Sequence, residues 1–263
     1  MKFSEVLRWE LKNITLFPIV EVFTGLLVFQ VISSSMLGAR TVSLFYYPDA
    51  SVLQDLMFFR LMRQIVGSLI SAYISVSFIA VVSATVLFAY QFEAGASKLY
   101  LSLPVKRSRY FAAKFLVCFL VPFLMLVIIG FSTELFLNPS SVFFFFASPL
   151  AILWTLLVAG DMVFFVVSVA LTISVFSRST AVSLISSLAL LYGLQLSSGY
   201  ISVPVLPPDS LSRGFYYFLF STQTSFWQQF PGLTGVCVLV LTPVVSACLL
   251  VVSYFYYCRR FEL

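Results

Sequence analysis

Histidine is absent from the 263-residue chain, and with it go His-ligated haem, the common zinc sites and His-based catalytic triads. Cysteine is scarce. Cys118, Cys237, Cys248 and Cys258 form no C-x-x-C pair and fall inside or at the ends of apolar stretches. They read as small buried apolar side chains, not as metal ligands or an external disulfide framework. Charge is scarce too, at 10% of residues, far less than a soluble domain needs to cover its surface. No G-x-x-x-x-G-K-[ST] phosphate loop occurs, so the chain alone is expected neither to bind nor to hydrolyse ATP. Internal repeats and low-complexity linkers are also missing, which leaves one membrane domain over 1–263.

What fills the chain instead is apolar. Hydrophobic residues make up 61%, with 30 Phe and 13 Tyr, and the mean hydropathy is +1.05. Such a composition belongs to a membrane protein, whose aromatic side chains fill helix interfaces and anchor span ends at headgroup level. The net charge of +5 is no nucleic-acid signal. The basic residues are spread thinly beside apolar runs, where they orient helices and meet anionic lipid.

Runs of about 18 or more apolar residues are candidate membrane helices, and six are present. They cover Leu16–Leu37, Ile65–Tyr90, Tyr110–Phe131, Pro149–Phe176, Thr180–Ser197 and Leu233–Tyr257. The expected fold is therefore all-α, with six transmembrane helices. With the N-terminus inside, the outer segments hold only Arg40, Arg60, Arg63 and Arg213, and every other Lys and Arg is inner. This asymmetry predicts a multi-pass cell-membrane protein with both termini cytosolic. Lys2, Arg8 and Lys12 alternate with Glu5 and Glu10 and no small-residue cleavage site follows, so the first span is expected to be retained.

Three segments outside the spans have character of their own. In 1–15, Phe3, Val6, Leu7, Leu11 and Ile14 recur at helical spacing with Trp9 as an anchor, which predicts an interfacial helix on the inner leaflet. Only Ser177, Arg178, Ser179 and Thr180 join the fourth and fifth spans, predicting an antiparallel hairpin. In 198–230, Pro204, Pro207 and Pro208 precede an apolar stretch, Phe215 to Phe220, too short to cross. It reads as a partly embedded or re-entrant outer segment.

The most informative segment lies between the second and third spans. From Gln91, the residues Phe92, Ala96, Leu99 and Leu103 recur at helical spacing, and Pro104 ends the run. Lys106, Arg107 and Arg109 follow at the inner headgroups, and Lys114 is placed to snorkel from the start of the third span. A short cytosolic helix over 91–104, fused to two spans, is suited to carrying force from a cytosolic partner.

Glu93-x-Gly95, Leu101-Ser-Leu-Pro104-Val, Arg107 and Lys114 together resemble the signature of type 2 ATP-binding-cassette (ABC-2) exporter permeases. In this chain Ala94 separates Glu93 from Gly95, and Ala96 stands where threonine is common. The resemblance implies a permease that pairs with a second permease, a homodimer being the simpler form, and lines the pathway with spans one, two and five. It implies a coupling helix, with Glu93, Gly95, Leu99, Leu101, Leu103, Pro104 and Arg107 meeting a separate ATPase subunit that binds ATP and Mg. No cofactor is expected in this chain.

Within the spans, Asp161 beside Gly160 sits near mid-membrane, where an acid avoids lipid. It is expected either to be protonated or to bond a neighbouring helix that Gly160 lets approach, and a part in substrate or proton handling is the sharper alternative. Gln30 and Gln195 are candidate pathway amides, with inter-helix hydrogen bonding as the plainer role. Three other functions fit parts of the pattern: a permease for lipid-linked polysaccharide, a non-transporting membrane anchor subunit, and an intramembrane enzyme. The last is disfavoured by the absence of histidine and of paired acids on one span.

Overall fold

The structure is a computed structural model and describes residues 3–15, 19–39, 72–95, 106–137, 149–177, 179–198 and 235–260. All regular structure among them is helical. The helices are α1 (Phe3–Thr15), α2 (Ile19–Ala39), α3 (Ala72–Glu93), α4 (Arg107–Leu137), α5 (Pro149–Ser177), α6 (Thr180–Ser198) and α7 (Gly235–Arg260).

Among the described residues, five stretches are long and apolar enough to cross a membrane: Ala72–Glu93, Arg107–Ile128, Thr155–Ser177, Thr180–Ser197 and Val240–Arg259. They coincide with the second to sixth predicted spans. The first predicted span is occupied by α2, a helix of 21 residues. The predicted outer segment 198–230 lies almost wholly outside the described residues.

Two boundaries differ from the sequence reading, each for a local reason. The second span runs on to Glu93 and stops at Gly95, whose φ of 69° is the left-handed conformation that glycine adopts without Cβ strain. There the Ala94 N–H donates to the Tyr90 carbonyl at 2.9 Å and the Gly95 N–H to Phe92 at 3.2 Å. The third span starts three residues early, so Arg107 and Arg109 belong to the first turn of α4. Cations are disfavoured at a helix N-terminus. Arg107 escapes that cost by reaching across to a carbonyl at the opposite, negative end of α7.

Helices α3 and α5 form the centre. Their apolar windows are 78% and 67% buried, against 17% for α6 and 22% for α7. α5 packs against α4, α6, α7 and the irregular turn of α3, while α4 also holds α1 and α2. α6 buries little more than Ser183, Ser187 and Leu191 along one stripe, and exposes Val182, Ile185, Leu190 and Leu196.

Several hydroxyls are satisfied in this apolar setting by bonding back one turn, as Thr172 does to Ser168, Ser174 to Ala170, Ser246 to Thr242 and Ser253 to Leu249. Some also tie helices together. Ser253 Oγ lies 2.9 Å from Thr172 Oγ1, where α7 meets α5.

Candidate functional site

One end of the bundle collects α1, the end of α3, the start of α4, the end of α5, the start of α6 and the end of α7. It also carries the described basic residues Lys106, Arg107, Arg109 and Arg259. Gly95 and Lys106, the described residues on either side of 96–105, both lie at this end.

The reason these elements meet begins with α1. Its buried face is Val6, Glu10 and Ile14, spaced by four, so an acid lies in the middle of an apolar stripe. Glu10 faces Lys114, two turns inside α4, with Nζ to Oε1 at 3.8 Å and both side chains almost fully buried. Lys114 was expected to snorkel to the headgroups. It points inward instead, because the carboxylate and two acceptors on α3 lie there. Nζ donates to the Leu87 carbonyl and to Gln91 Oε1. Tyr110 Oη donates to the same amide oxygen at 3.2 Å.

Leu87 sits in a π-helical turn, Thr85–Ala89, the only such turn among the described residues. Turns of this kind are rare and cluster at functional sites. The lysine thus supplies a donor inside the irregular turn of the central helix, and its ammonium lies 5.1 Å from the Phe88 ring centroid and 4.7 Å from that of Tyr110. Burial pushes the Glu10 carboxyl above its ordinary value. The Lys114 charge and the Tyr110 and Asn13 side chains pull it back only in part.

Rings close the same end. Phe88 of α3, Phe111 of α4 and Tyr257 of α7 meet pairwise at 5.4–6.0 Å. Phe92 continues α3 and its ring lies 6.1 Å from that of Tyr257, while Ala96, Leu99 and Leu103 of the expected stripe lie outside the described residues.

Of the residues singled out from the sequence, Glu93 is exposed and bonded to the first residue of α6. Its Oε2 accepts from the Thr180 N–H at 2.8 Å and the Thr180 hydroxyl at 2.7 Å. Arg107 is half-buried and its Nη1 donates to the Cys258 carbonyl at 3.4 Å. Leu99, Leu101, Leu103 and Pro104 lie outside the described residues, as does the side chain of Gln30, whose backbone belongs to α2. Gln195 is half-buried on α6. Asp161 is buried on α5 with no hydrogen-bond partner for either oxygen among the described residues. A Cβ placed on the neighbouring Gly160 would stand 3.6 Å from the Phe123 ring, so α4 approaches α5 closely here. Sixteen residues separate Asp161 from Ser177, about 24 Å of helix, which sets it far from the basic end.

Sequence reasoning missed Glu10, Lys114 and Gln91 as one unit, and Thr85, Ser174 and Ser183 as another. Ser183 Oγ lies 3.1 Å from Thr85 Oγ1 and 2.7 Å from Ser174 Oγ, a buried hydroxyl chain across α3, α5 and α6. The signal for the first unit was present: an acid four residues from Val6 and four from Ile14 on an otherwise apolar face. The second left none, because serine and threonine are ordinary in membrane helices.

No curated protein shows a significant match to the chain. The sequence profile of a family described as "ABC-2 family transporter protein" matches residues 11–195. The match spans α2 through most of α6 and includes Glu93, Arg107, Lys114 and Thr180. With more than half of its length so matched, and with five apolar helices able to cross a membrane, this chain belongs to the ABC-2 transporter family.

Proposed function

We propose that the chain is the permease subunit of an ATP-driven exporter, working as a homodimer with a separate ATPase subunit that holds ATP and Mg. α2 serves as the first of six spans, α1 lies on the inner leaflet, and both termini face the cytosol. The stretch between Gly95 and Lys106 is the coupling element, and Glu93, Gly95, Leu99, Leu101, Leu103, Pro104 and Arg107 belong to it or flank it. Gln30, Asp161 and Gln195 remain the candidate polar groups of the pathway.

One observation carries this reading beyond family membership. Gly95 at the end of the central helix and Lys106 at the start of α4 both lie where α1, α6 and α7 are all fastened by polar contacts. A partner gripping the stretch between them acts on most of the bundle at once. The apolar faces that α2 and α6 leave exposed, with Phe29 and Ile185 prominent, suit a second permease copy or lipid.

Co-purification tests the assignment. The tagged chain is expressed with its flanking reading frames and extracted in mild detergent. Recovery of a stoichiometric subunit with a phosphate loop, lost on Leu99→Asp and weakened by Arg107→Glu, is the expected result. Recovery of the chain alone, or with membrane partners only, would reject the coupled permease in favour of an anchor subunit.

A further inference from the structure

The resemblance assigns Glu93 to the contact with the ATPase. The geometry points to a different task. We propose that Glu93 is a positioning residue that caps α6, so that α6 moves with the end of α3 and displacement of the coupling stretch reaches the exposed apolar face of α6. The inference rests on the permease reading above and adds a route inside the chain.

The first N–H groups of a helix have no partner within it. At α6 the Thr180 N–H is satisfied by a carboxylate 87 residues away, and the Thr180 hydroxyl donates to the same oxygen. A negative group at this position also meets the positive end of the helix dipole. Glu93 is exposed, so core packing does not explain its place. Its two bonds instead join the last residue of one membrane helix to the first residue of another.

A second tie runs beside the first. Thr85 opens the π-helical turn of α3 and bonds Ser183, one turn into α6. The irregular turn is therefore bracketed by two attachments to α6, at Thr85 and Glu93. Lys114 holds the turn from the opposite helix through Leu87. A shift at Gly95 pulls first on Glu93 and then, through the π turn, on Thr85.

α6 is the helix best placed to follow such a pull. It is the least buried of the five candidate spans, and its contacts are mainly with α5 and the π turn. Few apolar contacts oppose its movement, so a small number of directed bonds fix where its first turn sits.

The test uses the full chain with its co-purified ATPase in liposomes. Spin labels at Ser186→Cys on α6 and at Cys248 on α7, both exposed, report the ATP-dependent distance change. Thr180→Val is expected to lose most of that change while ATPase recovery and basal ATP hydrolysis persist, and Glu93→Ala is expected to lose the change to the same extent. Thr180→Ser keeps both donors and is expected to behave as the unmodified chain. Glu93→Gln keeps an accepting oxygen and is expected to retain part of the change.

If Glu93→Ala keeps the full distance change, or sheds the ATPase from the complex, the positioning role is overturned and Glu93 is at most a docking contact. Hydrogen exchange on the chain without ATPase separates the two levels of the argument. Retained protection of the Thr180 amide in Glu93→Ala overturns the cap and leaves the permease reading standing. Failure of the unmodified chain to recover any ATPase rejects that reading, and the coupling role with it.

Discussion

Glu10 on the first helix and Lys114 on the fourth form a buried ion pair at 3.8 Å, far apart in sequence and both shielded from solvent. The carboxylate offsets one charge, while Leu87 and Gln91 supply the acceptors for the ammonium. The two ends of the pair are therefore unequal, and the inequality is measurable.

Lys114→Met strands the Glu10 carboxylate and deprives Leu87 and Gln91 of a donor. Removing one member of a buried pair costs about 3–5 kcal/mol. Glu10→Gln leaves Lys114 with two acceptors and is expected to cost less. The double variant is expected to recover part of the loss seen in Lys114→Met. Thermal unfolding in detergent ranks the three, and equal midpoints for the two single variants would contradict the asymmetry.

Glu10 also titrates out of its ordinary range. Burial raises its pKa above 4.5, and Lys114 is the largest opposing influence. Between 4.5 and the raised value the folded chain holds a proton that the unfolded chain has lost. Stability from this group therefore falls as pH climbs through that window. Lys114→Met is expected to move the midpoint further up. Carbon NMR of a labelled Glu10 carboxyl reads both effects, and a downward move in Lys114→Met would sink the assignment of the pair.

Much of the bundle could be read from runs of apolar residues, because a membrane imposes length and composition on each span. Pro149–Ser177 and Thr180–Ser198 begin where the sequence places them. The start of α4 did not, because Arg107 is held by a carbonyl on α7, and no local pattern encodes a partner so distant in the chain. Glu93 stood out as an acid beside a signature glycine, but its partner is a backbone N–H, which every residue type shares. Lys114 looked like an ordinary snorkelling lysine until the acid on α1 was placed opposite it.

Gly95 offers a conformational prediction. A Cβ there would meet no atom within 4 Å, so the cost of Gly95→Ala is the positive φ alone, about 1–2 kcal/mol. Gly95→Asn is expected to be milder, since asparagine visits this region more readily. Exchange rates of the Ala94 and Gly95 amides report whether the end of α3 frays. Equal protection in all three chains would show that the left-handed turn is not what stops the helix.

The hydroxyl chain at Ser183 yields a smaller effect. Ser183→Ala leaves Ser174 bonded to Ala170, but takes from Thr85 its contact on α6. A loss of about 1 kcal/mol is expected, typical of a single hydrogen bond between membrane helices. In a double-mutant cycle with Thr85→Val, additive losses would mean that the two hydroxyls do not interact.

The distance along the chain between Glu10 and Lys114 has a consequence for biosynthesis. The ribosome delivers Glu10 early and Lys114 more than a hundred residues later, an interval of roughly 5–20 seconds at ordinary elongation rates. Throughout it the first helix has no counter-ion and no third span to rest on. The ion pair that seats it against α4 can form only after Lys114 has been made. The N-terminal helix is thus the first element made, and its buried acid finds its partner only when the third span follows.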